Sequence, residues 1–545
     1  MTIVTKLCSG ANETMKNPVI GELIATSGGQ ATCRVKRDAL RAARSAAGHR
    51  AAAASSVGGL VKIATAGRFL VAALNELRAD PASPDWLVAE VDYLGQGEQG
   101  QDDALTDFRR GVEVFPQPGD SLSLASDADY RVMFAPPDQP HILIGTVYPT
   151  TDIKAPILYD NLLGRHFAVV GSSGTGKSTT VSLLLDRIID KGPHAHVIIL
   201  DPHGEYAHAF GDRAKVWDVS NLQLPYWAMN LSEHCEAFIT SPDEEAVVDR
   251  NILATCLQQA RARNVRLSDA AKVTADAPIP YQLADLTTAL EQEAGKLEKL
   301  ADASRYVQLR LTVEHYFADP RFGFIFNPDF WNLTLENLLG ELLRIPDEGK
   351  PVSIIDLAGV PTEIVNVVVS TLSRLVLDYA IQTPRAVRTP MLLLCEEAHR
   401  YLPRVQTRET AAVRRQLERI AREGRKYGVC LGLVSQRPSE LSETALSQCG
   451  TILSLRLNNI EDQRHLIASL SEGARNLVGV IASLANRECI VSGDGVPVPM
   501  RIRIDTVPPD RKPDSEDELF SVKWRQPGPG TESLAETVRT WREGL

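Results

Sequence analysis

HFAVVGSSGTGKST, residues 166–179, decides the fold of this chain. Four apolar residues, Phe167 to Val170, run into G-x-x-x-x-G-K-S between Gly171 and Ser178. VSLLLDRIID (181–190) then follows as a helical stretch. A buried strand that enters a glycine-rich turn and leaves it as a helix is the context in which this motif binds phosphate. The glycines let main-chain N–H groups curl around phosphate oxygens, and the helix start adds partial positive charge. Gly171, Ser172, Ser173, Gly174, Thr175, Gly176, Lys177, Ser178 and Thr179 are therefore expected to hold a nucleoside triphosphate. Lys177 can reach the β- and γ-phosphates, and Ser178 can hold Mg²⁺.

Outward from this loop, short apolar runs recur at 196–200, 352–357, 391–395, 429–434, 451–455 and 488–492. Their near-continuous hydrophobicity predicts a mostly parallel sheet covered on both faces, hence an α/β core over about 151–504. Residues 232–345 are polar and helical in pattern, as in EEAVVDRNILATCLQQARAR and YQLADLTTALEQEAGKLEKL, and predict a helical insertion. Before the core, VIGELIAT, ATCRVKR, GGLVKIAT, FLVAALNEL, WLVAEVDYLG and RGVEVF are separated by turn signals. They predict a β-rich domain within 1–150, a sandwich or small barrel. The alanine-rich tract 39–54 interrupts it as a loop or marginal helix. Residues 505–545 predict an arm that folds only where it packs on a neighbour.

A phosphate loop alone does not hydrolyse anything. Met391–Cys395 ends in Glu396 and Glu397, two carboxylates at the carboxyl end of a buried strand, where ligands bind in open α/β sheets. Glu396 is expected to fix Mg²⁺ and Glu397 to orient the attacking water. Gln436, at the end of another strand, can touch the γ-phosphate or that water. Asp201 and Glu205, in DPHGEY (201–206), can shape the metal site. Segment 400–426 carries nine basic residues against three acids. Arg404, Arg408, Arg414 and Arg415 can line a channel and touch DNA phosphates without reading bases. Arg422 and Arg425, and further on Arg456, are candidates to reach a neighbouring subunit's nucleotide as arginine fingers.

Composition limits the alternatives. The net charge of −11 means the surface as a whole does not attract nucleic acid, so any DNA contact must be local. Eight cysteines without a C-x-x-C pair argue against a zinc site or disulfide framework and suit a reducing compartment. No apolar run approaches the ~20 residues needed to cross a bilayer, and MTIVTKLCSGANE lacks a signal-peptide core. The expectation is a cytoplasmic protein.

Five segments together resemble the HerA family, in the FtsK–HerA branch of RecA-like motors: ILIGTVYPTTDIKAPILYDNLLGRHFAVVGSSGTGKST (142–179), VIILDPHGEY (197–206), LLLCEEAHRYLP (392–403), IAREGRKYGVCLGLVSQRPSEL (420–441) and LSLRLNN (453–459). GELIAT, GGLVKIAT, VDYLG and FPQPGD are similar to that family's N-terminal HAS-barrel. The resemblance implies a homohexamer that uses ATP and Mg²⁺ to pump double-stranded DNA through its pore. It also implies a partner, a NurA-like nuclease or another effector, in DNA end processing or anti-phage defence. Glu396 stands where many such motors carry Asp. Two other functions stay open on the sequence: a ring scaffold switched by ATP, and a conjugation or secretion coupling ATPase.

Overall fold

The computed structural model describes residues 18–46, 55–264, 272–297, 300–470, 477–514, 520–528 and 530–543. Two compact units emerge, Met1–Leu162 with Thr451–Asp505, and Leu163–Gly450 with Thr506–Leu545.

The first unit opens with seven strands: β1 (Val19–Thr26), β2 (Gln30–Lys36), β3 (Leu60–Thr65), β4 (Arg68–Ala79), β5 (Trp86–Gln99), β6 (Leu105–Arg110) and β7 (Ser121–Leu124). Alternation does what period two demands: in β2, Ala31, Cys33 and Val35 point inward between more exposed neighbours. The order is β2-β1-β7-β3-β4-β5-β6, and β2 also pairs with β5 from Gln30↔Asp92 to Lys36↔Trp86. That pairing closes six strands into a barrel, with β6 attached outside the ring. Closure removes free edges, which a sandwich would keep. Gly21 permits the closest approach, since a Cβ there would lie 2.0 Å from the Arg34 carbonyl oxygen. RGVEVF, expected as a strand, does not form one: only Arg110 belongs to β6, and Gly111 makes an isolated bridge. Val112 packs against the barrel core, but Val114 and Phe115 stay exposed, so the alternation does not continue into a paired strand. Of the alanine-rich tract, Arg37–Ala46 is a helix and 47–54 lies outside the described residues.

Below the barrel's charged surface one ion pair is fully buried. Lys62 Nζ lies 3.0 Å from Asp129 and also donates to the Asp103 carbonyl at 2.8 Å. Asp129 accepts in turn from the Leu105 and Ser126 main-chain N–H groups. With so many bonds satisfied, the pair offsets much of its desolvation cost.

The remaining strands are β8 (His141–Val147), β9 (Lys154–Leu158), β10 (Phe167–Val170), β11 (Val197–Asp201), β12 (Ala214–Trp217), β13 (Val352–Asp356), β14 (Met391–Cys395), β15 (Val429–Ser435), β16 (Thr451–Ser454), β17 (Glu488–Gly493) and β18 (Met500–Ile504). In the first unit β16-β17-β18-β8-β9 are neighbours, each pair antiparallel. The runs 451–455 and 488–492, expected as strands of a mostly parallel sheet, do form strands, and they pair with each other antiparallel. Their apolar residues report burial on both faces, which an antiparallel sheet can also provide. This sheet also explains why segment 451–505 groups with the N-terminal strands: β18 pairs with β8, at Ile502↔Val147 through Ile504↔Gly145.

The second unit holds six parallel strands in the order β12-β13-β11-β14-β15-β10. Almost every side chain of β10, β11, β13, β14 and β15 is buried. The helix Lys177–Lys191 lays Val181, Leu184, Leu185 and Ile188 against the core, at the i, i+3, i+4, i+7 spacing of one helical face. Between β12 and β13 the insertion forms helices Leu231–Phe238, Asp243–Ala262, Leu283–Ala294, Leu300–Ala318 and Leu335–Leu343. A buried fork ties it to the core: Arg374 on helix Val365–Gln382 donates to both Glu233 oxygens at 2.9 Å and to the Ala228 carbonyl at 2.6 Å.

The start of the C-terminal arm packs on this unit. Arg511 pairs with Asp186 at 2.7 Å, and the Ser182 hydroxyl donates to the Arg511 carbonyl at 3.0 Å. Farther on, helix Thr531–Glu543 leaves Leu534 and Trp541 exposed. The seven cysteines within the described residues are free thiols; Cys8 lies outside them. No helix among the described residues is long and apolar enough to cross a membrane.

Candidate nucleotide site

The glycine loop lies between β10 and helix Lys177–Lys191. Gly174 and Gly176 both take positive φ, 73° and 96°. A side chain at either position would be strained, so the sequence pattern is a backbone requirement. The loop is braced internally: the Thr175 hydroxyl donates to the Ser172 carbonyl at 2.7 Å, and the Thr180 hydroxyl to the Gly176 carbonyl at 2.8 Å. The Gly171 N–H donates to the Ser435 carbonyl at 3.2 Å, anchoring the loop to the end of β15. Ser172, Ser173, Gly174, Ser178 and Thr179 are exposed or half-buried.

Lys177 is only 8% exposed and makes no hydrogen bond or ion pair among the described residues. The side chain is largely enclosed and its positive charge has no partner in hydrogen-bond reach, so an anion supplied from outside would find it unengaged. The Lys177 charge reaches Glu396, where it opposes the upward shift of the carboxyl.

Three carboxylates gather at the carboxyl ends of adjacent strands. Asp201 ends β11, Asp356 ends β13 opposite it in register, and Glu396 follows β14. Burial pushes the Glu396 carboxyl up to about 8; Lys177 and a hydrogen bond from Tyr206 pull the other way, while Glu397 and Glu205 push it further up. Burial also raises Asp201, against main-chain N–H groups of Tyr206, Glu205 and His203 that stabilise its charge. Acids held this far from water with one lysine for company leave room for more positive charge.

Mg²⁺ fits this arrangement. Among the described residues no three His, Cys, Asp or Glu side chains converge as a metal cage. Mg²⁺ needs none, because it keeps several waters and takes phosphate oxygens with one or two protein ligands. Ser178 and Glu396 are the residues that would hold it, and it would neutralise charge on the phosphates.

Glu397 has the most unusual backbone of the group, φ 48° and ψ 45°, a left-handed conformation for a residue with a side chain. Its Oε2 is buried and accepts no hydrogen bond. His399 Nδ1 stands 3.2 Å away but is engaged with the Ser435 hydroxyl, also at 3.2 Å. Burial lowers the His399 imidazole from its ordinary value, so this is no ion pair at neutral pH. A strained residue with an orphaned carboxylate oxygen suits a water molecule that must be polarised. Gln436 follows β15 directly and is half-buried.

The arginines separate into groups that their sequence spacing did not reveal. Arg408 donates to the Ile239 and Ser241 carbonyls, fastening the end of helix Leu231–Phe238. Arg414 pairs with Glu418 at 2.9 Å and donates to the Arg404 carbonyl at 3.0 Å; Arg404 pairs with Glu443. Arg415 and Arg425 are exposed, and Arg422 is exposed with Glu418 3.7 Å away. Arg456 lies in the first unit, donating to the Leu484 carbonyl and Asn486. Tyr206 and His399 were visible only as letters inside their motifs. Nothing in the spacing signalled that they touch Glu396 and Glu397.

The family model for the central domain of helicase HerA matches residues 142–376. The DNA double-strand break repair helicase HerA of Pyrococcus furiosus is 27% identical over 412 residues, covering 67% of this chain and 69% of its own. The protein of the same description from Sulfolobus acidocaldarius is 26% identical over 420 residues, covering 75% and 77%. Among solved structures, VirB4 of Thermoanaerobacter pseudethanolicus superposes with a TM-score of 0.50 at 14% identity, covering 69% of this chain and 99% of that one. This last likeness is one of fold.

Proposed function

The chain belongs to the HerA family of P-loop ATPases, and from that premise we propose that it hydrolyses ATP to move double-stranded DNA through a ring of its own copies. The duplex would be delivered to a nuclease or another effector. The single observation that carries the ATPase part is the buried, unpaired Lys177 beside Glu396 and the orphaned Glu397. In this scheme Lys177 clamps the β- and γ-phosphates, Ser178 and Glu396 hold Mg²⁺, Glu397 orients water, and Gln436 contacts the γ-phosphate or that water. Arg422 and Arg425 are the candidates to reach a neighbour's nucleotide. The N-terminal barrel contributes to ring assembly.

For DNA, the exposed Arg415 is a better contact than Arg408 or Arg414, whose guanidinium groups are already spent on carbonyls and Glu418. Phosphate contacts carry no sequence information and release counterions. Duplex DNA is therefore expected to stimulate ATP turnover equally for random sequences of one length. Arg415→Ala should weaken duplex binding alike on all of them and flatten the plot of log K against log salt by roughly one unit per lost contact. Titrations of several duplexes at a series of salt concentrations, with phosphate release as readout, check this. Absence of binding and stimulation at low salt would favour the scaffold function instead.

A further inference from the structure

Glu396 is not free to choose its orientation. Its Oε2 accepts a hydrogen bond from the Tyr206 hydroxyl at 2.8 Å, and Tyr206 is completely buried. Its Oε1 accepts none among the described residues. Tyr206 is itself fixed from the other side. Its main-chain N–H donates to Asp201 Oδ2 at 3.0 Å, while Asp201 Oδ1 accepts from the His203 N–H at 3.2 Å. The turn after β11 is thus wound around one buried carboxylate and sends a phenol across to the next strand's carboxylate. The turn has little room to shift. Gly204 sits at φ 69° with a Cβ position 3.1 Å from Asp356. From outside, the C-terminal arm clasps it: the Asp514 N–H donates to the Glu205 carbonyl at 2.8 Å, and His208 Nδ1 lies 3.0 Å from the Lys512 carbonyl.

We propose that Tyr206 is a positioning residue for the metal: by occupying Glu396 Oε2 it fixes that side chain's rotamer and presents Oε1 alone to the cation or its water shell. The C-terminal arm holds the turn that makes this possible. A purely packing role would need the ring and not the hydroxyl. The hydroxyl has one acceptor, and that acceptor is the proposed metal-side carboxylate. Partners that orient metal ligands typically matter 10–100-fold in metal affinity.

The inference rests on the proposed nucleotide site, and the test separates the two. Affinity for a fluorescent ADP analogue is measured on the full chain, once in excess EDTA and once in Mg²⁺. The ratio reports what the cation adds. Tyr206→Phe, which keeps the ring, should leave the EDTA affinity near wild type and cut the Mg²⁺ enhancement about tenfold. Asp514→Pro removes the N–H that clasps Glu205, along with the Asp514 carboxylate, and leaves Tyr206 intact. It should reduce the enhancement in the same direction by a smaller factor, and it keeps the test open should Y206F fail to fold. An unchanged ratio in folded Y206F, or equal losses with and without Mg²⁺, overturns the role of Tyr206. Wild-type protein that binds the analogue in neither condition overturns the nucleotide site itself, and this role with it.

Discussion

Lys177→Ala is expected to abolish measurable ATP hydrolysis, a fall of at least roughly 10²–10³ in turnover if it matches the loss of one charge-stabilising donor elsewhere. Lys177 opens helix Lys177–Lys191, largely enclosed and without a hydrogen-bond or ion-pair partner. Within the described residues its charge acts only at a distance, on Glu396, so the transferred phosphates are what it can serve. Alanine is the best helix former, which offsets loss of the favourable charge near Glu396. The melting temperature of K177A should therefore stay close to that of the wild type. Phosphate release and thermal unfolding measured on the same preparation check both halves. Loss of activity with a lowered melting temperature would point to damage to the fold, not to lost phosphate contact.

Glu397→Gln should retain ATP while hydrolysing it at least about 10²-fold more slowly, the usual scale for losing a positioned general base. Gln keeps the shape of the side chain but removes its charge and replaces one acceptor oxygen with an NH₂ donor. The backbone at Glu397 is already held in a left-handed conformation by the end of β14 and the turn Ala398–Arg400. The substitution should not relax it. What is lost is the oxygen that has no donor in the protein. Filter binding of labelled ATP beside steady-state turnover separates retention from hydrolysis. Near wild-type turnover in E397Q would take Glu397 out of the water-polarising role.

Much of the candidate site was legible because it is local. The phosphate loop, its strand and its helix are contiguous, and the glycine pattern states a backbone requirement that Gly174 and Gly176 meet. Strand positions followed from apolar runs for the same reason. Pairing direction did not, because β16 and β17 are buried as their parallel counterparts are and only their partners differ. Contacts between distant positions were also invisible. Tyr206 and Glu396 stand 190 residues apart, Arg408 and Ile239 169 apart. Arg408, Arg414 and Arg415 fell together in sequence as channel candidates, whereas folding ties Arg408 to carbonyls and Arg414 to Glu418 and leaves Arg415 exposed.

The central claim, ATP-driven movement along duplex DNA, is tested most directly by displacement of a triplex-forming oligonucleotide from a blunt duplex. Wild-type protein should strip the third strand with ATP and Mg²⁺ but not with a non-hydrolysable analogue, while K177A and E397Q leave it in place. Duplex-stimulated hydrolysis by the wild type without any displacement, with the effector supplied or omitted, would contradict the account.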